Sequence, residues 1–408
     1  MIILSIRIIF FTSESHPTYR SDVRVLFGKY LPRYSIKTDL VALKDHNSET
    51  KSHWGGGNLF LTEPTKYIAL NRVKMFFHAL RVMCSVNSKD YDAIQVRDMP
   101  ILAFFLLIMS KFKKMEFYYW MSYPISEGWI DLAKRRGFSA GYMRFFYPWL
   151  NGRLGKFFLY RFVLPRSSHI FVQSENMKRN LSILGIEKVN MTPVPMGVDM
   201  ESVRSIEKNE VMNEKIPNRK ILLYLGSFDR TRHVELLFEM LVILKSKFSD
   251  IVLMLVGDAY DDIHRNWLKN QAEELGVSGD VQWTGWLPLE EAWKLVRRAD
   301  IGLSPVPRGF LLDASSPTKI LEYYALRLPV VCNDSPEQDQ LVKKSGSGIC
   351  VNYTPQEFAD SVSDMLSKSD SELNEILMRG RKYVEKYRSY SCISEMLSKK
   401  YKEISKAM

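Results

Sequence analysis

Five consecutive apolar residues, Ile221-Leu222-Leu223-Tyr224-Leu225, run straight into Gly226 and a turn carrying Arg230 and Arg232. Apolar residues then recur at helical spacing over 234–244. An uninterrupted apolar run of strand length is what a strand buried on both faces requires, as in a parallel sheet between helix layers. Strand, glycine turn and helix in that order also form an anion site. The turn leaves backbone N–H groups free at the positive end of the helix dipole, and an arginine can fork onto a pyrophosphate.

A second stretch repeats the chemistry. Ser315-Ser316-Pro317-Thr318-Lys319-Ile320-Leu321-Glu322-Tyr323-Tyr324-Ala325 precedes the apolar segment 328–332. The pattern predicts a helix with Ser316 at the N-cap and Pro317 at the first helical position, where its missing N–H is not needed. Its free N–H groups would seat a phosphate beside Lys319. Glu322, three residues on, lies on nearly the same face and can accept from hydroxyls next to that phosphate. A phosphate seat, a cation and a diol acceptor within one turn suggest a nucleotide ribose. Taken singly, each stretch is also explained as ordinary α/β architecture. The pair favours a nucleotide site.

In order and spacing, 226–232, 252–258, 281–285 and 316–331 resemble retaining glycosyltransferase family 4. Segments 91–98, 169–177 and 194–199 extend the resemblance through the first half, so that it covers nearly the whole chain. It implies the α/β GT-B fold: two Rossmann-like α/β/α domains facing a central cleft, with a C-terminal helix crossing back to the first. The expected division is an acceptor-side domain over 1–198, completed by a helix at about 380–408, and a donor-binding domain over 199–379.

The 408 residues exceed what one core usually serves, and 46% apolar with 25% charged residues is a globular composition. Four widely spaced cysteines with no C-x-x-C pair suit a reducing compartment and argue against a disulfide framework or zinc site. The apolar opening, 1–11, lacks a basic n-region and a cleavage site, so it is read as the first buried strand. A loop over 12–20 and a helix to about 34 should follow. Further strands are expected near 39–43, 93–96, 116–120 and 169–172, with a helix over 66–86. The glycine-containing stretch 46–64 reads as a loop, and the charged stretch 199–219 is expected to hold the interdomain linker.

The net charge of +11 is concentrated: 111–166 holds eleven Lys or Arg against three acids, interleaved with aromatics. That mixture suits an interfacial helix on anionic lipid, and peripheral membrane contact through 133–166 is expected. A core-facing aromatic stripe with a solvated basic face would give the same pattern. No recognition motif supports a nucleic-acid partner. The expected location is cytoplasmic, on the inner face of the cytoplasmic membrane.

The resemblance assigns roles residue by residue. Arg232 stands where the family usually has a phosphate-binding lysine, and Ser227 where it often has arginine, a loss for which Arg230 compensates. Arg232 and Lys319 would stabilise the leaving phosphate. Gly226, Ser227, Arg230, Gly257, Asp258, Pro317, Thr318 and Glu322 would bind the donor, with the base near 283–286. Asp258 can equally be read as the cap of a helix from about 261. Glu322 matches the second, ribose-holding glutamate of the family's paired-glutamate motif. The first falls at Ala314, with Asp313 one position away. The family's cleft histidine is absent from 121–127. His16, in the loop after the first strand, and Arg97 with Asp98, after a strand end, are the acceptor-side or sugar-side candidates. No metal is expected, and the donor is a nucleotide diphosphate sugar. The reading is hexose transfer to a glycan or lipid-linked acceptor in surface polysaccharide biosynthesis. A sugar-nucleotide epimerase and an inactive nucleotide-sugar-binding homologue are the alternatives.

Overall fold

The structure, a computed structural model, describes residues 5–45, 53–138, 141–186, 190–209 and 219–406. They divide into two units. The first takes the described residues of 1–196, 314–316 and 390–408, and the second those of 197–313 and 317–389.

The first unit is built on a seven-stranded parallel sheet. Its strands are β1 (Ile6–His16), β2 (Ile36–Lys44), β3 (Leu59–Thr62), β4 (Ala93–Arg97), β5 (Glu116–Met121), β6 (His169–Val172) and β7 (Met191–Pro193), in the order β3-β2-β1-β4-β5-β6-β7. Both faces are covered. On one lie α1 (Ile68–Ser85) and α2 (Pro100–Phe112), followed in the chain by α3 (Ile125–Arg136) and α4 (Tyr142–Phe158). On the other lie the helical segment Asp22–Tyr30 and the last helix, Tyr390–Lys406. That last helix is anchored by the buried Tyr401, whose hydroxyl donates to Gln95 Oε1 at 2.5 Å. Tyr390, at its start, shares a 2.8 Å hydrogen bond with Ser21.

The second unit has six parallel strands: β8 (Lys220–Leu225), β9 (Ile251–Val256), β10 (Val281–Trp283), β11 (Ile301–Ser304), β12 (Val330–Asn333) and β13 (Ile349–Val351). Their order is β10-β9-β8-β11-β12-β13. The apolar run of β8 is buried from Ile221 to Leu225, and β9 throughout, as doubly covered strands require. Within each sheet the first strand in the chain sits centrally and the order reverses beside it. Each sheet therefore has a switch point at the carboxyl ends of its two central strands, β1 with β4 and β8 with β11, where open α/β sheets bind ligands.

Three sequence expectations need correction. The first strand runs to His16, past the expected end at 11, with its pairing shifted between Phe11 and Ser15. The stretch read as a loop over 46–64 contains β3, which pairs in register with β2; its residues 46–52 lie outside the described residues. The charged stretch expected to hold the linker opens with the helix Met200–Asn209, and 210–218 lie outside the described residues.

Candidate active site

At the switch point of the second sheet, β8 ends and Gly226 turns with φ +139°. A side chain there would strike Lys319, since an added Cβ would stand 2.7 Å from Lys319 Cε. Gly257, at the end of β9, has φ +134°, and its own added Cβ would meet the Gly226 carbonyl oxygen at 2.1 Å. The two glycines let adjacent strand ends close on each other and leave a recess for the lysine.

Lys319 heads the short helix Lys319–Ala325. Its Nζ donates to the Tyr224 hydroxyl at 2.6 Å and lies 3.8 Å from that ring's centroid. Burial pushes the ammonium well below its ordinary pKa, and the nearby Arg232 guanidinium lowers it further, while Glu322 works the other way. Lys319 is half-buried, with a small accessible face. Among the described residues, neither Lys319 nor Arg232 forms an ion pair with a carboxylate. Lys319 is desolvated and repelled by Arg232, so an anion bound beside both would restore what burial removes.

Glu322 lies one turn along the same helix. Burial pushes its carboxyl up to about 7, against the opposing influence of the Trp293 indole and Lys319. The indole nitrogen itself is buried outside hydrogen-bonding geometry. Tyr224 and Tyr323 complete the floor. The Tyr323 hydroxyl accepts from the Leu225 N–H at 2.9 Å, and its ring packs where any side chain at Gly302 would stand.

Several predicted residues are placed differently. The helix begins at Lys319 with Thr318 at its cap, so neither Ser316 nor Pro317 holds the expected position. Ser316 Oγ instead accepts from the Met196 N–H at 3.1 Å, and Pro317 only leads in. The resulting helix of seven residues has a smaller dipole than was expected, and the lysine carries more of the site's positive charge. Ser227 contributes its carbonyl oxygen, to the Tyr224 hydroxyl at 3.3 Å. Arg230 is exposed and turned to Asp261 at 3.3 Å. Asp258 accepts from Arg265 Nε at 2.7 Å, and the helix cap is Asp261, which accepts from the His264 N–H. Trp283 packs edge-on against Phe228, while Trp286 is exposed with its ring 5.6 Å from that of Tyr260.

The first unit's candidates are less open to ligand. His16 is not in a loop. It ends β1, buried, with its ring edge-on to Trp54 at 5.8 Å. Arg97 does lie at the first sheet's switch point, but its buried guanidinium is paired with Asp22 at 2.9 Å, Glu14 at 3.1 Å and Asp98 at 3.4 Å. Asp98 also accepts from the Ser122 N–H at 2.9 Å and from its hydroxyl. Arg97 and Asp98 form a structural ion cluster. Ala314 is buried, and its carbonyl accepts from Ser174 at 2.8 Å; Asp313 binds Arg308 at 3.0 Å.

Sequence reasoning missed Tyr224, Tyr323 and Trp293. The available signal was a tyrosine inside a doubly buried strand, where its hydroxyl must find a partner.

Residues 205–383 match the family model for glycosyl transferases group 1. That match spans most of the second unit and takes in every residue of the recess just described. A curated relative, the D-inositol 3-phosphate glycosyltransferase of Corynebacterium urealyticum, is 26% identical over 197 residues, which are 46% of this chain and 45% of that protein. The chain therefore matches about half the length of that relative. Among solved structures, the sucrose-phosphate synthase of Thermosynechococcus elongatus superposes with a TM-score of 0.73 at 15% identity, over 99% of this chain and all of that one. Anabaena HepE, solved in complex with UDP, gives 0.68 at 14% identity, over 98% and 100%. Both likenesses establish the fold, which is GT-B as the resemblance implied. Among the described residues no group of three or more His, Cys, Asp or Glu could hold a metal ion, and no helix is long and apolar enough to cross a membrane.

Proposed function

We propose that the protein is a retaining glycosyltransferase that moves a hexose from a nucleoside diphosphate sugar to a glycan or lipid-linked acceptor. The setting is surface polysaccharide assembly on the inner face of the cytoplasmic membrane. The observation that carries the reading is the half-buried Lys319 at the switch point, crowded by Arg232 and, among the described residues, without a carboxylate ion pair. A diphosphate supplies the missing charge. The UDP held by the similarly folded HepE supports the same ligand class.

Glycosyl transfer breaks the bond between the sugar and the diphosphate, and negative charge grows on the leaving oxygen. The desolvated Lys319, held by the Tyr224 hydroxyl, and Arg232 beside it would stabilise that charge, and no metal is required for this. Gly226 and Gly257 would let phosphate oxygens approach backbone. Glu322, ionised once a ribose hydroxyl donates to it, would fix the nucleoside. Thr318, at the cap of the Lys319 helix, and Ser227, whose carbonyl accepts from the Tyr224 hydroxyl, would adjoin the donor, and Arg230 can leave its exposed partner Asp261 at little cost.

A second reading, a nucleotide-sugar-binding homologue without turnover, is favoured by one observation. The position of the family's first glutamate is the buried Ala314, and the neighbouring Asp313 is held by Arg308. Two measurements separate the readings. A thermal-shift screen against UDP, GDP, ADP and CMP, with and without Mg2+, should single out one diphosphate independently of metal. Sugar release from the matching nucleotide sugar is then followed with and without acceptor. Acceptor-dependent release supports transfer, tight binding without release the inactive homologue, and acceptor-free isomerisation the epimerase. No shift with any nucleotide would overturn the donor site.

A further inference from the structure

The helix α4 is packed inside out. Its buried positions are Pro148, Gly152 and Gly155, spaced as one helical face, and they lie close against neighbouring helices. An added Cβ at Gly152 would stand 2.7 Å from both Ile130 Cγ1 and the Ser126 carbonyl oxygen of α3. The large apolar residues of α4 therefore point away from the protein. Tyr142 is 75% exposed and Met143 78%, and Phe146, Leu150, Leu154 and Phe157 continue the stripe. An ordinary amphipathic helix would bury that stripe.

The neighbouring helices do the same. α1 presents Leu70, Val73 and Phe77 outward at helical spacing, and α2 presents Phe105, Ile108 and Phe112, the last 85% exposed. The three helices touch: Arg72 of α1 donates to the Tyr147 hydroxyl of α4 at 3.1 Å, Phe76 meets Phe105 at 5.2 Å, and Phe104 meets Phe158 at 4.6 Å. Three adjacent helices with outward apolar stripes make a surface well beyond the scattered exposure normal in a soluble protein.

The charge around this surface identifies its occupant. From 133 to 166 the chain holds eight Lys or Arg and no Asp or Glu. Lys111, Lys114, Arg136, Arg144, Arg153 and Arg161 are exposed among the aromatics. Arg153 lies over the Trp149 ring at 5.8 Å. Basic heads beside aromatic and aliphatic bodies match an anionic headgroup layer above an acyl boundary. We propose that α1, α2 and α4 together form a docking face for an anionic lipid bilayer, with α4 lying in the interface. Membrane contact is thus broader than the 133–166 segment read from the sequence. The proposal deepens the lipid-linked acceptor reading and rests on it only for which membrane is met.

The test is flotation of the full chain with vesicles of phosphatidylglycerol and phosphatidylethanolamine, beside vesicles of phosphatidylcholine alone, at low and high salt. The chain should float with the anionic vesicles and lose that partition as salt rises. Phe146→Asp with Phe157→Asp, both exposed and so tolerable to the fold, should lower partition at least about tenfold. Arg136→Glu with Arg144→Glu should abolish the preference for anionic lipid. UDP binding by all variants should match the wild type. Failure of the wild type to float with either vesicle would overturn the proposal. So would a concentration-dependent dimer in sedimentation that the Phe146→Asp, Phe157→Asp variant dissolves, since the face would then belong to a second copy. Flotation without nucleotide binding would leave the surface standing and remove the donor-site reading instead.

Discussion

The two sheets place basic residues at equivalent topological positions and treat them in opposite ways. At the first switch point Arg97 is buried among Asp22, Glu14 and Asp98, so the protein supplies its own counter-charge. At the second, Lys319 and Arg232 share a recess where tyrosine, rather than carboxylate, meets the ammonium. Topology alone marks both places as ligand-binding. Charge balance separates them: one is closed by its own carboxylates, and at the other, among the described residues, no carboxylate pairs with either cation.

Arg97→Met gives the largest expected effect. It strands three carboxylates around one buried position, and loss of one partner from such a cluster costs about 3–5 kcal/mol. Urea unfolding should show that loss, while the folded fraction should bind nucleotide normally. A change under about 1 kcal/mol would mean that the cluster is not what holds this end of the sheet.

Gly257→Ala tests the closure of the second site. With φ +134° and a carbonyl oxygen in the way, alanine should cost about 3 kcal/mol in the same assay and weaken diphosphate binding as well. A stable variant with normal binding would show that the strand ends need not close.

A smaller effect sharpens the comparison through pH. The Glu322 carboxyl, pushed up to about 7 by burial, is protonated in the free protein in mildly acidic solution. Its folded pKa lies above its unfolded one. The stability it contributes is therefore full below about 4.5 and is lost as pH rises through about 7. If Glu322 holds the ribose as proposed, nucleotide affinity should move oppositely, rising by about tenfold over the same range as its carboxyl ionises. Glu322→Gln should flatten both profiles. Profiles that kept their slopes would assign the pH dependence to another group.

The same contrast explains what could be read from the sequence. Doubly buried strands such as β8 and β9 announce themselves as apolar runs, and the glycines at their ends follow from the turns. Lys319 and Glu322 were legible because they lie three apart on one helix. Whether a charged residue has a partner is not local. Arg97 meets Asp22 and Glu14 from distant segments, and nothing near it in the chain distinguishes it from a ligand-binding arginine. Ser316 was lost as a cap to the Met196 N–H, again from far along the chain. For α4 the aromatic and basic pattern was visible, but its direction was set by Gly152 and Gly155, which matter only against α3.

The most direct test of the central claim compares the selected nucleoside diphosphate with its nucleoside, by calorimetry, on wild type and Lys319→Ala. Removing a charge-assisted contact should weaken the diphosphate by about 10- to 100-fold and leave the nucleoside within about twofold. Stability should be unchanged or slightly raised, because a desolvated cation has been removed. Equal losses for both ligands, or none for either, would contradict the account and take Lys319 away from the phosphates.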